Sequence, residues 1–282
     1  MMRRGFLLFA LALVLLVVVA AASTVMIIEG HLVYGAQGYP AGTSAHLPAG
    51  IVRLDFRTGQ GHQVAFYRPP TNALAPERIW LVCYGNGNLA LDWVGEVAAA
   101  PDPAAGWLLL EYPGFGLCEG HSSPQNILDS SAAAVEALRK HLTMSEDALR
   151  ARLGVLGHSL GTATALQYAA AYPVQRIVLI APFTTLADIG DELYGWPFGR
   201  LLVHRFDNGA RLDEIAQQHP RPAVLMVHGG NDDCIPPAMS LRLALAHPGW
   251  IERTVIAAAD HDTVVHATMA LLTPWARTAT AH

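Results

Sequence analysis

The 282-residue sequence predicts an α/β fold, a mostly parallel sheet with helices on both faces. Three observations carry that reading. Short apolar runs recur without polar alternation, as strands buried on both faces read. Helical patterns stand between them, as parallel connections require. One run, 153–157, ends in Gly157-His158-Ser159-Leu160-Gly161 and passes straight into a helical pattern.

Taken in order, 51–56 and 63–67 alternate apolar and polar residues around Thr58-Gly59-Gln60-Gly61, an antiparallel hairpin at the sheet edge. Apolar strands then fall at 79–84, 107–112, 153–157, 176–181, 223–228 and 251–256. Helices are expected at 89–100, 124–141, from 159 to 171, 236–245 and 263–277. The forty-odd residues between 180 and 223 break the rhythm. They read as a lid insert, about 187–221, that includes the stretches 186–193, 196–206 and 211–218 and is long enough for two or three short helices over the active-site edge. The insert is too short to fold as a separate cap domain.

The N-terminus is different in kind. Arg3-Arg4 precede Gly5 to Ile28, 24 residues without a charge. As a helix that run spans roughly 36 Å, enough to cross a bilayer core of about 30 Å. Residues 1–28 are therefore expected to be a transmembrane anchor, 29–48 a linker and 49–282 the folded domain. Charge placement leaves the N-terminus in the cytoplasm and the domain on the extracytoplasmic side, periplasmic in a bacterium. A cleavable signal peptide ending near Ala20-Ala21-Ala22 competes, but the apolar run continues past that site.

Composition excludes several functions. Net charge is −5 and no basic block follows Arg3-Arg4, so nucleic acid is not an expected partner. Three cysteines, Cys83, Cys118 and Cys234, give neither a disulfide framework nor zinc-ligand spacing, and all three read as structural.

The chemistry centres on Ser159. Strand, tight turn and helix are the context in which Gly-x-Ser-x-Gly exposes a nucleophilic hydroxyl. A Ser nucleophile needs a base, and the base needs a group to fix its tautomer. His261, just after the last strand, is the expected base among 13 histidines. His158, His228 and His266 read as structural. Asp232 and Asp233, in the loop after the preceding strand, both fit the acid by charge. Asp260 and Asp262 read as turn and helix-cap residues, with Asp262 placed for the cap. Expected oxyanion donors are the N–H groups of Leu160 and of Asn86 in Tyr84-Gly85-Asn86-Gly87-Asn88. Tyr84 and the Pro113-Gly114-Phe115-Gly116 turn are expected to shape the substrate pocket, through Tyr84 and Phe115.

Together with Glu111 to Gly120, Ala181 to Thr185, Arg205 to Asn208 and His228-Gly-x-x-Asp232-x-x-Ile-Pro236, these motifs resemble α/β-hydrolase-fold serine hydrolases. Within that superfamily they resemble the small-lid, often membrane-anchored branch, over roughly residues 50–277. The resemblance implies an eight-stranded sheet and the triad Ser159, Asp232 and His261, the acid falling on the Asp of His-Gly-x-x-Asp. One departure stands out, Tyr84 where that branch usually has His. The expected function is hydrolysis of carboxylic esters or thioesters of acyl, lipid-like substrates through an acyl-Ser159 intermediate, without metal or organic cofactor. A peptidase or amidase of the same fold is the alternative. An inactive, membrane-anchored interaction protein is the rival of another class.

Overall fold

Eight strands form one sheet in the order β1-β2-β4-β3-β5-β6-β7-β8 in a computed structural model of the chain. It describes residues 16, 30, 33–35, 37–40, 42, 47–73 and 75–279. The expected anchor, 1–28, lies outside these apart from Leu16. Among the described residues no helix is long and apolar enough to cross a membrane.

β1 (Val52–Thr58) and β2 (Gly61–Arg68) form the expected edge hairpin, paired Thr58 to Gly61 at the turn. β2 then pairs antiparallel with β4 (Ala105–Leu110). From there β3 (Arg78–Cys83), β5 (Leu153–His158), β6 (Arg176–Ile180), β7 (Ala223–Gly229) and β8 (Ile251–Ile256) run parallel. β4, β5 and β7 are buried at every residue, which is why their sequences carry no alternation. β8 is the far edge and carries Glu252, Arg253 and Thr254. Charges there discourage pairing with another chain.

The helices follow their caps. The expected helix at 89–100 divides into a 3₁₀ turn, Ala90–Trp93, and α1 (Val94–Ala99). Asp92 accepts from Leu89 N–H at 2.7 Å and tightens that first turn. α2 (Pro124–His141) has Ser123 accepting from Asn126 N–H at 3.1 Å, Pro124 at its first position and Arg139, Lys140 and His141 in its last turn. α3 (Glu146–Arg150) is a single turn capped by Ser145 and was too short to register as a period. α4 (Leu160–Ala171) is buried almost all round, between β5 and helices on either side.

The insert holds three helices, α5 (Leu186–Tyr194), α6 (Phe198–Leu201) and α7 (Asn208–Ile215). Only two cover the site edge. α7 packs on α4, pinned by Asn208 Nδ2, which donates to Phe183 O at 2.8 Å and Thr162 Oγ1 at 3.3 Å. α5 and α6 lie close because Gly190 and Gly199 face each other, and Asp191 accepts from Gly199 N–H at 2.6 Å. α8 (Pro237–Ala246) and α9 (Thr263–Thr278) complete the layers.

Candidate active site

β5 ends at His158 and α4 begins at Leu160, leaving Ser159 alone in the turn with φ +54° and ψ −124°. A non-glycine residue held there costs roughly 1–3 kcal/mol, so the surroundings must impose it. They do. Ser159 N–H donates to Ile180 O at 3.0 Å, and Thr162 Oγ1 donates to Ser159 O at 2.7 Å. A Cβ on Gly157 would overlap the Gly161 carbonyl, and one on Gly161 would overlap Cys83 O. The two glycines therefore let the turn close against its neighbours.

Asp232 and His261 meet. Asp232 Oδ2 lies 2.9 Å from His261 Nδ1, while Oδ1 accepts from Cys234 N–H at 3.0 Å and Ile235 N–H at 2.8 Å. A carboxylate only accepts, so His261 carries its proton on Nδ1 and leaves Nε2 free as a base. Burial pushes the Asp232 carboxyl up, but hydrogen bonds from His228, His261 and Ile235 N–H outweigh it and hold the group well below the usual carboxylate range. Asp233 is exposed, with Cys234 Sγ 3.7 Å from its Oδ1.

Two histidines that read as structural hold this pair in place. His228 Nε2 lies 2.9 Å from Ile235 O and 3.3 Å from Asp232 Oδ2, binding the acid loop to its strand. His158 Nε2 lies 3.0 Å from His261 O, and the two rings are 4.8 Å apart. Burial first, then the neighbouring His261, lowers the His158 pKa to about 3. His158 is thus neutral and donates Nε2–H to the main chain of His261. Sequence offered one signal for this, a polar ring placed beside the Ser. His158→Ala is expected to lower kcat about tenfold with KM within twofold, because misplacing a base by a fraction of an ångström slows chemistry more than binding. Steady-state kinetics check the split.

Asp260 supplies the cap that was expected of Asp262. Its Oδ1 accepts from Asp262 N–H, Thr263 N–H and Thr263 Oγ1 at 3.1, 2.8 and 2.6 Å, starting α9. Asp262 makes no side-chain cap.

Asn86 and Leu160 lie on one cavity with Ser159 and His261. Leu160 is the first residue of α4, so its N–H has no acceptor within the helix. Tyr84 and Phe115 do not line that cavity. Tyr84 is fully buried and donates to Glu111 Oε1, and Phe115 packs edge-on against Tyr112 at 5.6 Å. Both rings are packed in the core instead. The Tyr84 hydroxyl ties the 84–88 loop to Glu111, and Tyr112 OH donates to Tyr84 O at 2.7 Å.

Glu111, beneath this loop, also accepts from Tyr39 OH at 2.5 Å. Burial raises its carboxyl to about 7, against the pull of the Tyr39 and Tyr84 hydrogen bonds. Between pH 4.5 and 7 the folded chain keeps a proton that the unfolded chain has released. Stability therefore falls as pH rises through this window, by about 3 kcal/mol. Glu111→Gln is expected to abolish that fall, read from denaturant unfolding at pH 5 and 8.

The cavity measures about 250 Å³ and is largely apolar, with Phe183, Leu186, Ile189, Leu193, Phe198 and Leu202 in its walls. Val33, from the segment before the hairpin, joins them. Cys234 lines it too and is exposed, which corrects its reading as structural. Burial first, then the Asp233 carboxylate, raises its thiol pKa. Among the described residues, Asp232, Cys234 and His261 place ligand-type atoms within 4.8 Å of one another, but Asp232 and His261 are already committed to each other.

A family model described as alpha/beta hydrolase fold matches residues 81–202. A protein of Mycobacterium tuberculosis H37Rv, uncharacterized protein Rv2307c, is 32% identical over 243 residues, covering 84% of this chain and 83% of that protein. The esterase domain of a Rhodothermus marinus protein superposes with a TM-score of 0.60 at 16% identity, covering 81% of this chain and 98% of that one. A puromycin-hydrolyzing peptidase of M. tuberculosis gives 0.60 at 19% identity, over 78% of this chain and 37% of the peptidase. With its eight-stranded, mostly parallel sheet, the chain belongs to the α/β-hydrolase-fold family.

Proposed function

We propose that the protein is a serine hydrolase that cleaves acyl esters or thioesters through an acyl-Ser159 intermediate. The single observation behind this is the strained Ser159 sharing one cavity with His261, whose ring Asp232 orients at 2.9 Å. In the reaction His261 Nε2 takes the Ser159 proton as Oγ attacks the carbonyl carbon. The N–H groups of Leu160 and Asn86 hold the oxyanion. Collapse expels the alcohol or thiol, which leaves with the proton from His261. Water, activated by the same base, then releases the acid.

Acyl substrates are favoured by the cavity wall. Among the described residues that wall has no carboxylate to grip a free ammonium group, as a peptidase acting on free amino termini would need. Asp188, Asp191 and Asp207 are turned to Thr184, Gly199 N–H and Ala210 N–H. The two structural neighbours, an esterase domain and a peptidase, span both readings. Anchoring through residues 1–28, with the domain on the extracytoplasmic side, belongs to the same proposal and rests on sequence.

A chain-length series tests the substrate. Each buried methylene contributes about 0.8 kcal/mol, roughly fourfold in kcat/KM. With p-nitrophenyl esters from C2 to C16, activity is expected to rise from C2, peak at intermediate length and fall at C16. A flat profile, or faster turnover of leucine p-nitroanilide, would sink the acyl reading.

A further inference from the structure

The lid carries apolar surface out of proportion to its size. Trp196 is 73% exposed and Leu201 63%, and Leu193 and Tyr194 are more than half exposed as well. Leu193 and Tyr194 also line the cavity, so the exposed face borders its mouth. The Arg200 guanidinium lies 5.6 Å over the Trp196 ring. Glu192 is the exposed carboxylate beside this face, while Asp188 and Asp191 are bonded to Thr184 and Gly199.

A short tether joins this face to the charge-free N-terminal run. Val33 stands in the cavity wall, five residues beyond Ile28, where the 24-residue charge-free run ends. Five residues reach at most about 18 Å even fully extended. The next residue, Tyr34, is 2% exposed, its ring 5.3 Å from that of His204 just after α6. Whatever medium holds residues 5–28 therefore lies within that short reach of the cavity rim. An uncharged run of that length fits a lipid bilayer. Trp and Tyr favour the bilayer–water interface, and an Arg stem lies along apolar surface while its head meets phosphate.

We propose that the lid face formed by Leu193, Tyr194, Trp196 and Leu201 docks on a lipid bilayer, and that the cavity takes its acyl ester from that bilayer rather than from water. The docking stands on the exposed face and the short tether. The delivery rests on the acyl-ester reading above.

Trp196 makes the docking measurable, because the other five of the six tryptophans are 9% exposed or less. The full chain is reconstituted in phosphatidylcholine vesicles with brominated or unbrominated acyl chains. Brominated lipid is expected to quench at least a third of the emission difference between the wild type and Trp196→Phe. Wild-type emission indifferent to bromine, or equal quenching in Trp196→Phe, overturns the docking. The Trp196→Glu/Leu201→Glu variant tests delivery, since neither residue lines the cavity. Its kcat/KM on water-soluble p-nitrophenyl butyrate is expected to stay within twofold, while hydrolysis of a long-chain ester embedded in vesicles falls tenfold or more. Equal effects on both esters overturn delivery. A wild type that cleaves neither ester overturns the ester reading and leaves the quenching to decide the docking.

Discussion

Ser159→Ala is expected to lower kcat/KM on the best ester by about 10⁵-fold or more, with KM little changed. In the proposed mechanism the hydroxyl forms the bond to the acyl carbon, and neither His261 nor a bound water replaces it at the same geometry. On that mechanism, what survives is positioning by the cavity and stabilisation by the proposed Leu160 and Asn86 donors, worth roughly 10³–10⁴ over water. The variant should fold normally. Alanine at φ +54° bears the same Cβ strain as serine, and Ser159 N–H and C=O keep their bonds to Ile180 and Thr162. An unchanged thermal midpoint beside lost turnover separates chemistry from collapse.

The second large effect separates two adjacent carboxylates. Asp232→Asn should cost about 10⁴-fold in kcat, because an amide can present its N–H₂ to His261 and reverse the tautomer. Asp233→Asn should stay within twofold, since Asp233 is exposed. The pH dependence carries a matching sign. The Asp232 carboxyl is held below its ordinary value, so its stabilising contribution is present above the unfolded pKa near 3.8 and is lost as pH falls below it. The Asn variant should show a shallower acid limb in denaturation. Comparable rate losses in both variants would contradict the assignment of the acid.

The sheet was legible because its interior strands are buried on both faces and so announce themselves as apolar runs. The elbow was legible because its glycines are demanded by backbone contacts, at Gly157 against Gly161 and at Gly161 against Cys83. Side-chain direction was not. Tyr84 and Phe115 sit in loops at the correct sheet edge, but their rings point into the core, toward Glu111 and Tyr112. The support given by His158 to His261 joins residues 103 apart in sequence, and no spacing rule encodes that. Asp260 and Asp262 stand two residues apart, below the resolution of a capping pattern. Val33 and Tyr39 lie in a glycine-rich stretch that reads as linker, yet one walls the cavity and the other bonds Glu111. Such contacts are settled by tertiary packing, which a local pattern does not contain.

The central claim is that Ser159 is a nucleophile activated by His261. Peptide mapping by mass spectrometry after treating the full chain with a fluorophosphonate measures it most directly. A single stoichiometric adduct on Ser159, strongly slowed in His261→Ala, is the predicted result. No adduct on the wild type, or one that persists elsewhere in Ser159→Ala, would contradict it.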